Sequence, residues 1–292
     1  MAKTQAYALA LGIATLYLLV IVAQNCYNLW DILPQSTSSR TITPVEVEGV
    51  PEWIRTYYQK QSVERLRFIE QLSKVRALAI YNLIVPEVYC PNILRIGGVD
   101  DGGKNVCNVR QTPRNNCSIY SLGIAGDISF ESDMQSIIAN ACRVYGYDRD
   151  AQSEDTHWQY EAINGKLTTV TIANATREDS HESTLEDLLR ANGDDSVEFM
   201  KMDIEGAEHE ILIPFLGNHN VCQLFIEIHG LGVLHATLLR DIAQRDYLLF
   251  ARETNPSCHL CCEYSFIHRN CMHRYGVQII KPYLKDIDPS LQ

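Results

Sequence analysis

Three carboxylates, Asp203, Glu205 and Glu208, fall within six residues directly behind the apolar run 197–202, in the stretch VEFMKMDIEGAEHEIL. A run of that composition reads as a strand buried on both faces. In an open α/β sheet, ligands bind beyond the carboxyl ends of the strands, so these acids stand where protons are moved or cations held. The competing account is structural, since acids at the start of a helix suit its N-terminal dipole. A second run, 221–229 (VCQLFIEIH), ends in Glu227 and His229 one short helix later. Two neighbouring strand ends are thus expected to face one crevice.

From Cys90 onward the pattern alternates between strand and helix, which predicts a parallel sheet with helices on both faces. The expected core strands are 118–122, 143–147, 168–172, 197–202, 224–228, 247–251 and 263–268. Ahead of them, Pro51 opens a helix expected to run to about Val85. Leu66, Ile69, Leu72, Val75 and Leu78 form its apolar stripe, and Pro86 closes it. Its basic residues are read as a solvated face.

The run STLEDLLRANGDDSVEFMKMDIEGAEHEIL resembles the signature of the FkbM-type methyltransferases. The segments RIGGVDDGGK and SLGIAGDISFE resemble a membrane-anchored animal branch of methyltransferase-like proteins. The resemblance covers the chain from about Cys90 to the C-terminus. It implies a Rossmann-like seven-stranded methyltransferase sheet, S-adenosylmethionine as methyl donor and an oxygen as the usual acceptor.

Two glycine-rich segments compete for the donor loop, 96–103 and 122–127. The second follows a strand and precedes a helical stripe of Phe130, Met134, Ile137, Ile138 and Ala141, with Ser129 as its expected N-cap. The donor loop is therefore assigned to Gly123, Gly126 and Asp127. Glycine lets backbone approach a ligand closely. Asp148, about twenty residues on at the end of the next strand, is the acid expected to bind the ribose hydroxyls. Segment 96–103 reads as a tight turn between short strands, or as a lining of the methionine end or the acceptor entrance.

Removing a proton from an alcohol acceptor needs a base. His229 is preferred because imidazole titrates near neutral pH. Asp203 and Glu205 are the alternatives, or together with Glu227 they form an oxygen-rich set for a divalent cation; no metal is assigned. Cys258, Cys261, Cys262, Cys271 and His273 have zinc-like spacing only in their first half, so disulfides or loop packing are the better account.

With 292 residues and 46% hydrophobic content, the chain has room for one catalytic domain and appendages. A formal net charge of -11 argues against a nucleic-acid partner, which would need concentrated Lys and Arg. The uncharged run 6–23 has membrane-spanning length, and Lys3 before it with acids after it favours a cytoplasmic N-terminus. A cleaved signal peptide is the rival reading. The division is residues 1–30 as cytoplasmic tail and signal anchor, 31–89 as stem with an amphipathic helix, and 90–292 as the methyltransferase-like domain. Ten cysteines fit an oxidising compartment, as do the sequons at Asn116 and Asn174. Cys117, Cys142 and Cys222, on core strands, are expected as buried thiols. Cys26, Cys90, Cys107, Cys258, Cys261, Cys262 and Cys271 are the expected bridge-formers.

Together these readings predict a single-pass type II membrane protein of the Golgi or endoplasmic reticulum with a lumenal catalytic body. It would O-methylate a glycan, lipid or small-molecule acceptor using S-adenosylmethionine. The second reading is a noncatalytic membrane protein of the same fold that binds a ligand or partner.

Overall fold

The computed structural model describes residues 49–74 and 80–288. The apolar run 6–23, the stem 31–48 and Cys26 lie outside the described residues. No described helix is long and apolar enough to cross a membrane.

The first described helix, α1 (Glu52–Ser73), starts after Pro51, whose fixed φ suits a helix start, and ends at Lys74. It is shorter than the sequence stripe predicts, and Val75 and Leu78 lie outside the described residues. Ile69 is fully buried, with Leu66 and Leu72 packed against the same core. Trp53, Tyr57, Val63 and Phe68 occupy exposed positions.

Seven strands form the central sheet: β4 (Ser118–Leu122), β5 (Arg143–Asp148), β6 (Gly165–Thr169), β9 (Val197–Met202), β10 (Val221–His229), β11 (Tyr247–Glu253) and β12 (Cys261–His268). Their order is β11-β12-β10-β9-β4-β5-β6. β10, β9, β4, β5 and β6 pair in parallel, while β12 is antiparallel to both neighbours. Alternate residues enter two cores. Tyr120, Leu122, Met200 and Met202 pack on one face, and Ile119, Phe199, Phe225 and Phe130 on the other. Strand order reverses between β4 and β9, which opens a crevice at their carboxyl ends.

The smaller elements in order are β1 (Val88–Tyr89), β2 (Ile93–Ile96), β3 (Lys104–Cys107), α2 (Ser129–Ile137), α3 (Glu154–Ala162), β7 (Thr171–Ile172), β8 (Glu182–Ser183), α4 (Leu185–Asn192), α5 (Glu208–Asn218), α6 (Val233–Ala243), α7 (Met272–Tyr275) and β13 (Gln278–Ile279). The 97–103 segment joins the antiparallel strands β2 and β3, in keeping with the tight-turn reading.

Three local expectations are corrected. The strand expected over 168–172 is divided. β6 starts earlier, at Gly165, where a side chain would strike the Tyr160 ring, and β7 leaves to pair with β8. Ser129 is not the N-cap of α2. That position is Ile128, and the Asp127 carboxylate accepts the Ser129 N–H instead. The cysteine assignment also changes. Cys117 pairs with Cys142 and Cys222 with Cys271, alongside Cys90–Cys107 and Cys258–Cys261, whereas Cys262 is a buried free thiol among the described residues. Core location does not prevent pairing here, because Cys117 and Cys142 sit just before the adjacent strands β4 and β5, with Cα atoms 4.5 Å apart. The sulfurs of the zinc-like segment are taken by disulfides, except that of Cys262.

Candidate active site

The crevice at the strand reversal is a cleft of about 340 Å³ lined by Gly123, Tyr147, Asp148, Val170, Ile172 and Asp203, among others. Its floor is set by contact between two strand ends. The Asp203 N–H donates to the Leu122 carbonyl at 2.9 Å. Gly123 adopts φ +81, and a Cβ there would lie 1.8 Å from the Asp203 carbonyl oxygen. Only glycine permits this approach.

Asp148 is drawn into the loop that follows. Its Oδ2 accepts the N–H groups of Ile124 and Ala125, both at 2.8 Å, and its Oδ1 accepts that of Asp150 at 2.8 Å. A carboxylate has about four lone-pair sites, so one remains for a ligand hydroxyl. The carboxylate thus shapes the loop as well as facing the cleft. Gly126 and Asp127 are not among the described residues lining the cleft. Gly126 has φ +79 with open space around it, and Asp127 is engaged at the start of α2.

Across the cleft, one buried carboxylate ties the ends of β9 and β10 together. Glu208 is 0% exposed; its Oε2 accepts the Gly206 N–H at 2.8 Å, and its Oε1 accepts the His229 backbone N–H at 2.8 Å. The same Oε1 meets His229 Nδ1 at 3.1 Å. These bonds hold the turn in which Glu205 takes a left-handed φ of 55°, a conformation uncommon for a side chain of this kind. On the other side of the ring, His229 Nε2 lies 3.5 Å from Glu205 Oε2 and 3.9 Å from Asp203 Oδ1. The structure therefore brings Asp203, Glu205 and His229 together.

Their electrostatics bears on the role of the imidazole. The Glu208 hydrogen bond raises His229 to about 9 against the opposing effect of burial, with Glu227 and Asp203 adding to the rise. Below that pH the ring carries two N–H groups and can only donate. Burial pushes Glu208 upward, but the bonds from His229 outweigh it and hold the carboxyl below its usual range. Beside them, burial and then repulsion from Glu263 and Asp203 raise Glu227, whose Oε1 accepts the Asn255 side-chain N–H at 3.0 Å. Lys104, buried in β3, is bonded to Glu263; the attraction outweighs its desolvation and keeps the ammonium charged.

The methyltransferase-domain family profile matches residues 54–268, a span that contains the whole seven-stranded sheet. The chain belongs to this methyltransferase-domain family. Among curated proteins none matches it. Of solved structures, the fibrillarin pre-rRNA processing protein of Methanococcus jannaschii is similar at 14% identity, over 57% of this chain and 70% of its own, with a TM-score of 0.38.

In this methyltransferase the sequence pointed to Asp203, Glu205 and Glu208 through one motif and to His229 through the run 221–229 that follows it. It missed Glu263 and Lys104, which are 159 residues apart and meet only in the folded sheet. No local spacing signals that pair. It also missed His235, which fixes the turn after His229. His235 Nδ1 meets the Gly230 carbonyl at 2.9 Å, and Nε2 meets the Tyr264 hydroxyl at 2.8 Å. Burial lowers His235 from 6.5 to about 4. The native state then binds fewer protons than the unfolded chain between those values, so its stabilising effect is complete above pH 6.5 and is lost as pH falls toward 4. Denaturant unfolding should show this contribution falling by about 1.4 kcal/mol per pH unit over that interval. His235→Phe should be less stable at pH 7 but lack that part of the slope; an identical slope in the variant would assign it elsewhere.

Proposed function

We propose that this methyltransferase transfers a methyl group from S-adenosylmethionine to a hydroxyl oxygen of a glycan, lipid or small molecule, in the manner its FkbM-like motif implies. The observation that carries the reading is the cleft at the strand reversal, with Asp148 at its donor side and Asp203 opposite. Its volume lies in the range of small-ligand sites. Tyr147, Val170 and Ile172 offer an apolar wall for a flat base, and Asp148 retains one acceptor position for a ribose hydroxyl.

The bound donor supplies an electrophilic methyl carbon on a positively charged sulfur. An acceptor oxygen held in line with that carbon would take the methyl group, with the C–S bonding pair left on sulfur as S-adenosylhomocysteine. Asp203 takes the hydroxyl proton, because His229 is already a cation at neutral pH. His229 positions the Asp203 carboxylate, and Glu205 and Glu208 hold the His229 ring from its two nitrogens. Positioning of donor and acceptor in line supplies much of the acceleration.

The placement we propose is a lumenal body of the secretory pathway, anchored by the N-terminal apolar run. Four disulfides among the described residues and two exposed sequon asparagines, Asn116 and Asn174, support an oxidising compartment. Expressed in eukaryotic cells, the chain should resist carbonate extraction and lose mass with a glycosidase. A soluble unglycosylated chain would overturn the placement and leave the chemistry standing.

The chemistry is tested with methyl-labelled S-adenosylmethionine and fractions of cellular glycans, lipids and metabolites. One S-adenosylhomocysteine should form per methyl incorporated, and the label should sit on oxygen. Asp148→Ala should weaken donor binding at least about tenfold, since it removes a charge-assisted bond and frees the loop. A folded, donor-binding chain that transfers no label to any fraction would favour the noncatalytic reading.

A further inference from the structure

Four carboxylates from four separate segments converge beside the cleft. Asp101 comes from the loop between β2 and β3, Asp203 from the end of β9, Glu227 from β10 and Glu263 from β12. One oxygen from each lies within 4.8 Å of the others. Ligands of a hard cation stand about 2.0 to 2.6 Å from the ion, so oxygens sharing one ion are at most about 5 Å apart. The four fit a single coordination sphere.

A second observation separates this cluster from a chance gathering of surface acids. Glu263 is only 9% exposed, and its Oε1 is taken by Lys104. Its Oε2 is shielded from solvent and has no hydrogen-bond partner. A buried acceptor left unmade costs about 1 to 3 kcal/mol, more when charged. Glu227, 3% exposed, brings a further buried carboxylate to the same point. Lys104 pairs with Glu263, and His229 lies 3.9 Å from Asp203 and groups with Glu227 as well.

We propose that Asp101, Asp203, Glu227 and Glu263 bind one hard divalent cation of the magnesium, manganese or calcium class. The donor set is entirely oxygen, which selects these ions over zinc or copper. Cys261 groups with Glu227 and His229 nearby, but its sulfur is bonded to Cys258 and offers no thiolate. Because Asp203 also lines the cleft, the ion stands at the boundary between the donor and the acceptor side.

The full chain, stripped with a chelator, is titrated with manganese chloride and followed by electron paramagnetic resonance of the free ion, with magnesium and calcium as competitors. One ion should bind per chain with Kd at or below about 1 mM, the range of extracellular calcium modules. Asp101→Asn and Glu263→Gln should each weaken binding at least about tenfold, the effect of losing one charged ligand. Asp101 is exposed, so its replacement leaves the fold intact. Absence of binding to folded chain at about 10 mM ion, or unchanged affinity in either variant, would overturn the site. The titration contains no S-adenosylmethionine, and donor binding is measured separately in chelator. A chain that takes the ion but not the donor refutes the methyltransferase reading alone, and the converse refutes the cation site alone.

Discussion

Gly123→Val should abolish detectable donor binding. The added Cβ would stand 1.8 Å from the Asp203 carbonyl oxygen, and the backbone at φ +81 is a conformation that β-branched residues avoid. The left-handed backbone costs about 1 to 2 kcal/mol, and overpacking typically adds about 1 to 3 more. Relief requires β4 and β9 to part at their carboxyl ends, which removes the cleft floor. Gly126→Ala is the internal control. It bears the same kind of backbone penalty at φ +79 but meets nothing within 4 Å, so donor affinity should fall by about tenfold at most. Calorimetry with circular dichroism separates loss of the site from loss of the fold. Wild-type affinity in Gly123→Val would show that contact between these strand ends does not form the donor site.

Asp203→Asn should lower turnover by about 10² to 10⁴, the usual scale for loss of a general base, while leaving the main-chain bond from Asp203 to Leu122 in place. The same experiment decides between Asp203 and His229. A His229 base would become active only as its ring loses a proton near pH 9. Wild-type turnover would then rise through that pH, and the rise would vanish in His229→Asn. The account predicts instead that any alkaline rise survives in His229→Asn and that Asp203→Asn is the more damaging change. Full activity in Asp203→Asn would remove the proton-accepting role from that residue.

The strands were legible because β4, β9 and β10 are short runs of buried apolar residues, and burial on both faces leaves little room for another reading. Their bounds at 118–122 and 197–202 follow directly from the sequence, whereas the 168–172 run was misplaced: β6 begins at Gly165, packed against the Tyr160 ring, and β7 leaves to pair with β8. The acids behind β9 were legible for the same reason as the strand. The roles within them were not. Whether His229 is a base or a cation depends on Glu208, and that distance of 3.1 Å arises only when two strand ends align. Asp148 was found by its place in the chain, but its use in holding the Ile124 and Ala125 N–H groups requires a folded loop. Glu263 carried no local signal because β12 returns antiparallel to β10 from far along the chain. The cysteines misled for a related reason: strand position indicates burial but says nothing of what lies opposite.

The most direct test of the central claim, that the cleft between β4 and β9 takes the methyl donor, is calorimetric titration of the purified chain. S-adenosylmethionine and S-adenosylhomocysteine should each bind at one site with Kd at or below about 100 µM, equivalent to roughly 5.5 kcal/mol of binding free energy. Asp148→Ala should weaken both by at least about tenfold. A chain that is folded by circular dichroism yet gives no binding heat with either ligand at about 1 mM, at two temperatures, would contradict the account.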